Sequence, residues 1–312
     1  MTATLEIETI GRDEDLQRVA RSIGQTPLFE IRRIFRKRGV RIFAKLEWHQ
    51  LGESVKARPA WYIVKAALQS GALRGRRLLD ATSGNTGIAY AAIGAALGVP
   101  VTLCLPENAS EERKYILRAL GAELVLTSRF EGTDGAQQQA RALYEAHPDR
   151  FFYADQYNNE QNWLAHYETT APEIWQQTHG TVTHFVAGLG TTGTLTGTGR
   201  GLRRFNPAVR IIGLQPDNPM HGLEGWKHLE TAHVPGIYDY GLPDQILEID
   251  SAEAYGLIRE VARTEGLLLS PSAAANLLGA MRVAASIDHG TIVTTFADNA
   301  AKYGEVLREL LK

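Results

Sequence analysis

The alternation of apolar and polar positions is most regular between residues 78 and 126. Short apolar runs over 78–81, 101–105 and 123–126 have the length and composition of buried strands. Amphipathic stretches separate them, and these predict a helix over 87–97 that ends at Gly98 and a second helix from Ser110 to Gly121. The order strand, helix, strand, helix, strand predicts a parallel sheet with helices on its faces.

The flanking segments show the same two periodicities less regularly. They predict strands over 40–46, 151–153, 183–187 and 209–214, and helices over 31–37, 59–69, 136–146 and 163–177. Residues 216–245 are rich in Gly, Pro and His and predict a long loop. A further α/β segment is expected from residue 252 onward, so the pattern as a whole indicates an α/β protein.

Three loops combine glycine with reactive or hydroxyl side chains. They are GESVKARP at 52–59, TSGNTG at 82–87 and GLGTTGT at 188–194. The first places Lys56 on a polar turn before a helix, and the others join an apolar run to a helix. A phosphorylated aldehyde cofactor requires this chemistry, because an amine forms a Schiff base and backbone amides bind phosphate or carboxylate. A surface lysine and ordinary turn glycines remain the alternative for each loop taken alone.

The third loop also fits the Gly-x-Gly-x-x-Gly fingerprint of dinucleotide-binding proteins through Gly188, Gly190 and Gly193. That fingerprint expects an acidic residue about 20 positions later, at the end of the next strand. Here the strand predicted over 209–214 is followed by Gln215 and Pro216. The threonines of the loop favour a phosphate monoester instead, because hydroxyl groups add donors beside the backbone amides.

Composition excludes several other classes. The net charge of −2 and the absence of a long basic run argue against nucleic acid, and Gly98 and Pro100 interrupt the uncharged stretch over 81–106 that could suggest a membrane helix. The single cysteine, Cys104, rules out an internal disulfide and indicates a buried, inert thiol in a reducing cytoplasm. No histidine or cysteine spacing supports a metal site.

Taken together, these stretches resemble the pyridoxal-phosphate enzymes of fold type II, and among them the cysteine synthases (O-acetylserine sulfhydrylases), most closely the cysteine synthase B group. The resemblance covers nearly the whole chain, from Gly24 to about Tyr303. It is carried by SVK at 54–56, ATSGNTG at 81–87, LGAEL at 120–124, QYNN at 156–159, PEIW at 172–175 and GTTGT at 190–194.

The resemblance implies two open, twisted, mainly parallel sheets flanked by helices, as in tryptophan synthase β-like enzymes. One α/β domain would span residues 46–158 and carry the Schiff-base lysine and the substrate-carboxylate loop. The other would combine residues 1–45 with 159–312 and carry the phosphate loop.

The resemblance also assigns roles to individual residues. Lys56 corresponds to the Schiff-base lysine and to the base that moves the substrate's Cα proton. Asn85 corresponds to the partner of the cofactor's ring oxygen, and Ser272 to the serine at its pyridine nitrogen. The remaining assignments are the substrate-carboxylate residues Thr82, Ser83, Thr86 and Gln156 and the phosphate-binding residues Gly190, Thr191, Thr192, Gly193 and Thr194.

The activity implied is a β-replacement that makes L-cysteine from O-acetylserine or O-phosphoserine and sulfide or another sulfur donor, through an aminoacrylate. Lys227, with His221 as a companion residue, is the candidate for binding the phosphate of O-phosphoserine; a solvated surface lysine is the alternative. The alternatives left open are a cystathionine β-synthase-like reaction, net β-elimination, and a non-catalytic or dinucleotide-binding protein. Small-molecule substrates, a homodimer and a cytoplasmic location complete the expectation.

The sequence departs from the family's pattern in three places. Glu53 and Ala57 flank the lysine motif where the family has Gly and Asp, and Ala273-Ala274 follow Ser272 where it has Ser-Gly. The family's Asp-Arg-Tyr near the C-terminus is replaced by DNAAKY at 298–303. These departures leave the expected fold unchanged and leave the identity of the substrate open.

Overall fold

The structure is a computed structural model that describes residues 12–82 and 84–310. In chain order, its strands are β1 (Leu28–Ile31), β2 (Val40–Leu46), β3 (Arg77–Ala81), β4 (Val101–Pro106), β5 (Glu123–Thr127), β6 (Phe151–Tyr153), β7 (His184–Gly188), β8 (Arg210–Pro216), β9 (Gln245–Ile249) and β10 (Gly290–Phe296).

The helices lie between and around these strands. They are α1 (Arg12–Arg21), α2 (Ala57–Gln69), α3 (Asn85–Leu97), α4 (Glu111–Ala119), α5 (Gly132–Ala146), α6 (Gln161–Ala165), α7 (Ala171–Gln177), α8 (Gly193–Phe205), α9 (Ser251–Thr264), α10 (Pro271–Ser286) and α11 (Gly304–Leu310). A π-helical turn (His166–Thr170) joins α6 to α7. Among the described residues, no helix is long and apolar enough to span a membrane.

Within the described ranges, the strands form two sheets. The smaller sheet has the order β5-β4-β3-β6 and is parallel throughout. The larger sheet has the order β1-β2-β10-β7-β8-β9 and is parallel except for the antiparallel edge strand β1. The predicted fold class, two mainly parallel sheets flanked by helices, is confirmed. The division into domains at residues 46 and 158 stays a prediction.

The centre of the smaller sheet explains why its strands are so apolar. Every residue of β4 is buried, as expected for a parallel strand that is covered by helices on both faces. Cys104 lies within this strand, paired with Ala81 on one side and Val125 on the other. Burial, and secondarily the nearby carboxylate of Asp80, raises the pKa of its thiol to about 12.

The helix predicted over 31–37 is wrong. Ile31 ends the edge strand β1, and the residues after it form an irregular turn. The backbone N–H groups of Arg32, Arg33 and Ile34 all donate to Oε1 of Glu265, at 3.2, 2.6 and 2.9 Å. A carboxylate that lies more than 230 positions away in the chain therefore holds this turn in place.

The loop expected over 216–245 is largely as predicted, but its last residue begins the unpredicted edge strand β9. Gln245, Ile246 and Glu248 of this strand are exposed, so it lacks the apolar alternation that marks a half-buried strand. Backbone pairing with β8 forms it nonetheless.

A buried cluster of charges joins elements of both halves of the fold. Arg58 on α2 donates to Glu47, which follows β2, through Nε at 2.7 Å and Nη2 at 2.9 Å. It also donates to Glu173 on α7, through Nη1 at 2.7 Å and Nη2 at 2.8 Å. Lys45 completes the cluster at 2.7 Å from Glu173, so two cations and two anions share this interior site.

The pKa of Glu173 shows how burial and ion pairing oppose each other in this cluster. Burial alone would raise the pKa of this carboxyl, but the hydrogen bonds and charges of Arg58 and Lys45 outweigh burial and lower it to about 2. The stability contributed by Glu173 is therefore present above its ordinary pKa of 4.5 and is lost as the pH falls through about 2.

We expect Arg58→Met to lower the free energy of unfolding by about 3–5 kcal/mol, because it leaves buried carboxylates without their main partner. Urea unfolding followed by circular dichroism measures this. The control is Arg308→Met, which removes a cation from a solvent-exposed pair with Glu112 and should cost no more than about 1 kcal/mol. Equal effects of the two substitutions would show that the cluster has no special role in stability.

Candidate functional site

A cleft opens where the carboxyl ends of strands from both sheets face each other. Its lining comes from the turn before α2, the β3–α3 loop, the residues after β6, the β7–α8 loop and the first turn of α10. Ligands in open parallel sheets bind at such carboxyl edges, because helix N-termini present unpaired N–H groups there.

Lys56 lines this cleft and occupies the N-cap position of α2, where its side chain makes no capping hydrogen bond. The turn that carries it is anchored to the larger sheet, because the N–H of Val55 donates to the carbonyl oxygen of Ala297 at 2.8 Å. Burial lowers the pKa of the Lys56 amine, and the carboxylate of Asp298 opposes part of that shift. The amine is thus closer to its neutral, nucleophilic form at neutral pH than an exposed lysine.

The β3–α3 loop brings three of the predicted carboxylate-binding residues together. Thr82 Oγ1 accepts from the N–H groups of Gly84 and Gly87, at 3.1 and 3.3 Å, which shapes the loop. Thr86 Oγ1 donates to Gln156 Oε1 at 2.7 Å, and Gln156 Nε2 donates to the carbonyl oxygen of Ala81 at 2.8 Å. Thr82 thus takes the N–H of Gly87, whereas the N–H groups of Asn85 and Thr86 at the start of α3 have no partner among the described residues and are available to a carboxylate. Ser83 lies outside the described residues.

The β7–α8 loop forms a cradle whose width is fixed by glycine. A Cβ at Gly190 would lie 2.0 Å from the carbonyl oxygen of Gly225, and a Cβ at Gly193 would lie 2.0 Å from Asn162 Oδ1. Thr192 adopts a left-handed conformation (φ 69°) at the start of α8. Its buried hydroxyl has no hydrogen-bond partner among the described residues. An uncapped helix start beside an unpaired hydroxyl suits a phosphate group.

His166, in the π-helical turn, supports this cradle from behind. Its Nε2 lies 3.3 Å from Thr194 Oγ1, and its Nδ1 lies 2.9 Å from Thr170 Oγ1. Burial lowers its pKa to about 3, with the charge of Arg58 as a second cause, so the ring is neutral at physiological pH. Sequence reasoning missed this residue, because a histidine within a predicted helix carries no signal of its own.

Ser272 lines the opposite side of the cleft, in the first turn of α10. Its Oγ lies 3.3 Å from the Oγ of Ser270, which caps the helix by accepting from the N–H of Ala273. The group that Ser272 presents to the cleft is a neutral hydroxyl. Asn276, one turn later, fixes the cradle loop by accepting from the N–H of Gly188 at 2.8 Å.

Asn85 is held by residues that the motif analysis missed. Its Nδ2 donates to Asp298 Oδ2 at 2.7 Å, and Tyr303 Oη donates to the same oxygen at 2.8 Å. Lys302 Nζ lies 3.4 Å from Asn85 Oδ1 and also donates to the carbonyl oxygen of Glu53 at 3.0 Å. The departure from the family's Asp-Arg-Tyr pattern was the signal that pointed here: the longer turn still brings an acid, a cation and a tyrosine together.

The two departures beside Lys56 differ in their surroundings. The Glu53 side chain is exposed, with its backbone in a left-handed conformation (φ 51°). Ala57 is completely buried, so the position accepts a small apolar side chain that needs no partner.

Lys227 does not line this cleft. Its Nζ lies 3.4 Å from Asp134 Oδ1 and 5.1 Å from the ring centroid of Tyr157, in a neighbouring cavity that also contains His221. The wall between the two cavities includes Gly190 and Trp226. A role for Lys227 in substrate binding stays a prediction.

Two charged residues of the cleft were missed altogether. Arg113 on α4 forms an ion pair with Glu224 of the long loop, and its guanidinium lies 4.8 Å from the ring centroid of Tyr303. Both members of the pair line the cleft. In the part of the chain that the structure describes, no group of His, Cys, Asp and Glu is placed to hold a metal ion.

Comparison with known proteins places this geometry in context. The family model described as pyridoxal-phosphate dependent enzyme matches residues 19–298. A cysteine synthase of Aquifex aeolicus is 44% identical over 94% of both chains, and cysteine synthase B of Salmonella typhimurium is 40% identical over 90% of this chain and 92% of its own. An O-acetylserine dependent cystathionine beta-synthase of Bacillus subtilis is 35% identical over 90% of this chain and 94% of its own.

Among solved structures, a cysteine synthase of Entamoeba histolytica superposes with a TM-score of 0.87 at 31% identity. The match covers 93% of this chain and 90% of the other. Similarity of this kind extends over both sheets and the cleft between them.

We expect Asp298→Asn to lower the pKa of Lys56 further, because it removes the carboxylate that opposes the effect of burial. The measurement is the pH dependence of Lys56 labelling by an amine-specific reagent in the apoprotein, read by peptide mass spectrometry. The labelling midpoint should move to lower pH. Asp239→Asn, which changes a carboxylate paired with Arg200 outside the cleft, serves as the control. A midpoint that stays in place or rises in the Asp298 variant would contradict the expectation.

Proposed function

The chain belongs to the family of pyridoxal-phosphate-dependent enzymes, and from this premise we propose that it makes L-cysteine by β-replacement on an activated serine. The observation that carries the proposal is the convergence on one cleft of the Lys56 amine, a glycine-walled cradle and a second loop with free helix N–H groups. Its similarity to cysteine synthases over nearly the full length of both chains supports the same conclusion.

The residues present fit pyridoxal 5′-phosphate. The unpaired hydroxyl of Thr192 and the glycine-walled start of α8 suit its phosphate, together with Gly190, Thr191, Gly193 and Thr194. Lys56 supplies the amine for its aldehyde, Asn85 a donor for its ring oxygen, and Ser272 a hydroxyl for its pyridine nitrogen. When bound, the cofactor supplies an electron-accepting ring that stabilises negative charge at the substrate's α-carbon.

The β3–α3 loop would bind the substrate's carboxylate. Thr82 and Thr86 supply hydroxyl groups and Gln156 an amide, and Ser83 is proposed as a further donor. The bond from Thr86 to Gln156 fixes these groups relative to each other before substrate arrives, so less conformational entropy is lost on binding.

Lys56 then has a second task, which is to take the proton from the substrate's Cα through its Nζ. A general base works best when its pKa is near the operating pH, and burial moves the pKa of this amine in that direction. The carboxylate of Asp298 opposes this shift, so the amine is more basic than burial alone would make it.

The hydroxyl of Ser272 favours elimination at Cβ over other reactions. A neutral hydroxyl cannot hold a ring nitrogen protonated as a carboxylate would, so the ring is a weaker electron acceptor. Long-lived negative charge at Cα is then disfavoured, and prompt departure of the β-substituent is favoured. Sulfide would then take the place of the departed β-substituent at Cβ.

A second candidate is a cystathionine β-synthase-like reaction with a larger thiol, which the similarity to the Bacillus subtilis O-acetylserine dependent cystathionine beta-synthase favours. The dinucleotide alternative has less support, because β8 ends at Pro216 without the acidic residue that a ribose requires. We further propose a homodimer, as is common in the resembled family. A cytoplasmic location is supported by the free, buried Cys104.

The first test is the visible spectrum of the purified protein before and after addition of O-acetylserine, with sulfide-dependent cysteine formation measured in parallel. We expect a bound-cofactor band that O-acetylserine changes and sulfide restores. Lys56→Ala should lower cysteine formation by about 10³-fold or more, because both the cofactor's amine and the base are lost. Lys65→Ala, on the far part of the same helix, is the matched control.

Three outcomes separate the candidates. A restored band with cysteine as product supports the proposal, whereas a spectral change that only a larger thiol reverses would favour the second candidate. A protein that pyridoxal phosphate does not colour would overturn both.

A further inference from the structure

Few charges line the cleft. Among the described residues in its wall, the side chains that carry a full charge are Lys56, Arg113 and Glu224. Lys56 is committed to the cofactor and the proton in the proposed function. The Arg113–Glu224 ion pair is therefore the charged feature that an incoming substituent on the serine would meet.

Arg113 is held firmly within the wall. The residue is buried, with 3% of its surface exposed, and it begins on α4 above the smaller sheet. Its guanidinium lies so close to the substrate loop that a Cβ at Gly84 would be 3.2 Å from Nη1. On its other side it stacks on Tyr303.

Glu224 comes from the opposite side of the cleft. It lies on the loop between β8 and β9, directly before Gly225, whose carbonyl oxygen closes over the Gly190 cradle. The side chain is about half exposed (48%), so it is the more hydrated partner of the pair. The pair thus spans from the substrate loop to the cradle loop.

We propose that the Arg113–Glu224 pair is a charge filter that selects serine derivatives with an uncharged β-substituent, such as an acetyl ester, over those with an anionic one, such as a phosphate. This inference rests on the proposed β-replacement and adds the class of activated serine that the cleft accepts. Glu224 is the discriminating residue, because it neutralises Arg113 and places a carboxylate where the substituent must pass.

The two activated serines differ in the charge of their β-substituent. A phosphate at this position must either separate Arg113 from Glu224 or lie beside the Glu224 carboxylate, and both cost free energy in a partly desolvated cleft. An acetyl group carries no charge and requires neither. Specificity of this kind arises from a repulsive element against the excluded ligand.

The experiment compares kcat/KM for O-phosphoserine and O-acetylserine, with sulfide, in the holoenzyme and in Glu224→Gln. We expect the wild type to favour O-acetylserine and the variant to raise the O-phosphoserine to O-acetylserine ratio by about tenfold or more, because removal of the carboxylate leaves Arg113 able to attract the phosphate. In the double variant Arg113→Met/Glu224→Gln this gain should disappear.

Asp134→Asn is the matched control. It neutralises a nearby exposed carboxylate that pairs with Lys227 outside the cleft wall. An unchanged ratio in Glu224→Gln would overturn the filter. An equal gain in Asp134→Asn would also overturn it and would assign phosphate recognition to Lys227.

A second readout does not depend on turnover. Inorganic phosphate, titrated into the holoenzyme and followed by the cofactor's absorbance, should bind more tightly to Glu224→Gln than to the wild type, and the double variant should lose the gain. If neither serine derivative reacts, the proposed function fails, but the phosphate titration still tests the charge filter. Equal phosphate affinity in the wild type and in Glu224→Gln would refute the charge filter.

Discussion

The architecture of the cleft depends on the pairing of one buried guanidinium. Arg58 cannot remain charged in the interior unless carboxylates meet it from more than one direction, and its partners come from the end of β2 and from α7. This requirement fixes the position of the first turn of α2 relative to both the larger sheet and the helices around α8. Lys56 lies two residues before Arg58, so the buried ion pairs of Arg58 also determine where the reactive amine lies.

The opposite wall is shaped by the absence of side chains. At Gly190 and Gly193 any Cβ would overlap a backbone or amide oxygen, so the chain can approach its neighbours there only as glycine. Because of this close approach, the N–H groups at the start of α8 and the Thr192 hydroxyl face the cleft, where a bound ligand can accept their hydrogen bonds. Lys56 is thus rigidly positioned on one wall, and the opposite wall presents hydrogen-bond donors without partners. Together these two features favour tight binding of a small phosphorylated group.

The sequence predicted those parts of the molecule whose chemistry is local. The strands of the smaller sheet and the glycine loops follow from adjacent residues, and the structure has them at the predicted positions within two residues or so. Contacts between residues distant in the sequence could not be predicted, because local sequence patterns do not encode them. Glu265 holds the turn that stands where a helix was expected over 31–37, and no residue near either segment indicates that contact. The Arg113–Glu224 pair likewise joins a regular helix to a loop without periodicity, so neither residue stood out.

The single thiol of the chain has a consequence for a protein that handles sulfide. Sulfur species attack and modify cysteines through the thiolate, and a pKa of about 12 leaves only about one Cys104 in 10⁵ ionised at neutral pH. Its position inside β4, beneath helices on both faces, also denies access to a second sulfur atom. Burial and a raised pKa therefore make Cys104 a poor target for persulfidation and mixed-disulfide formation.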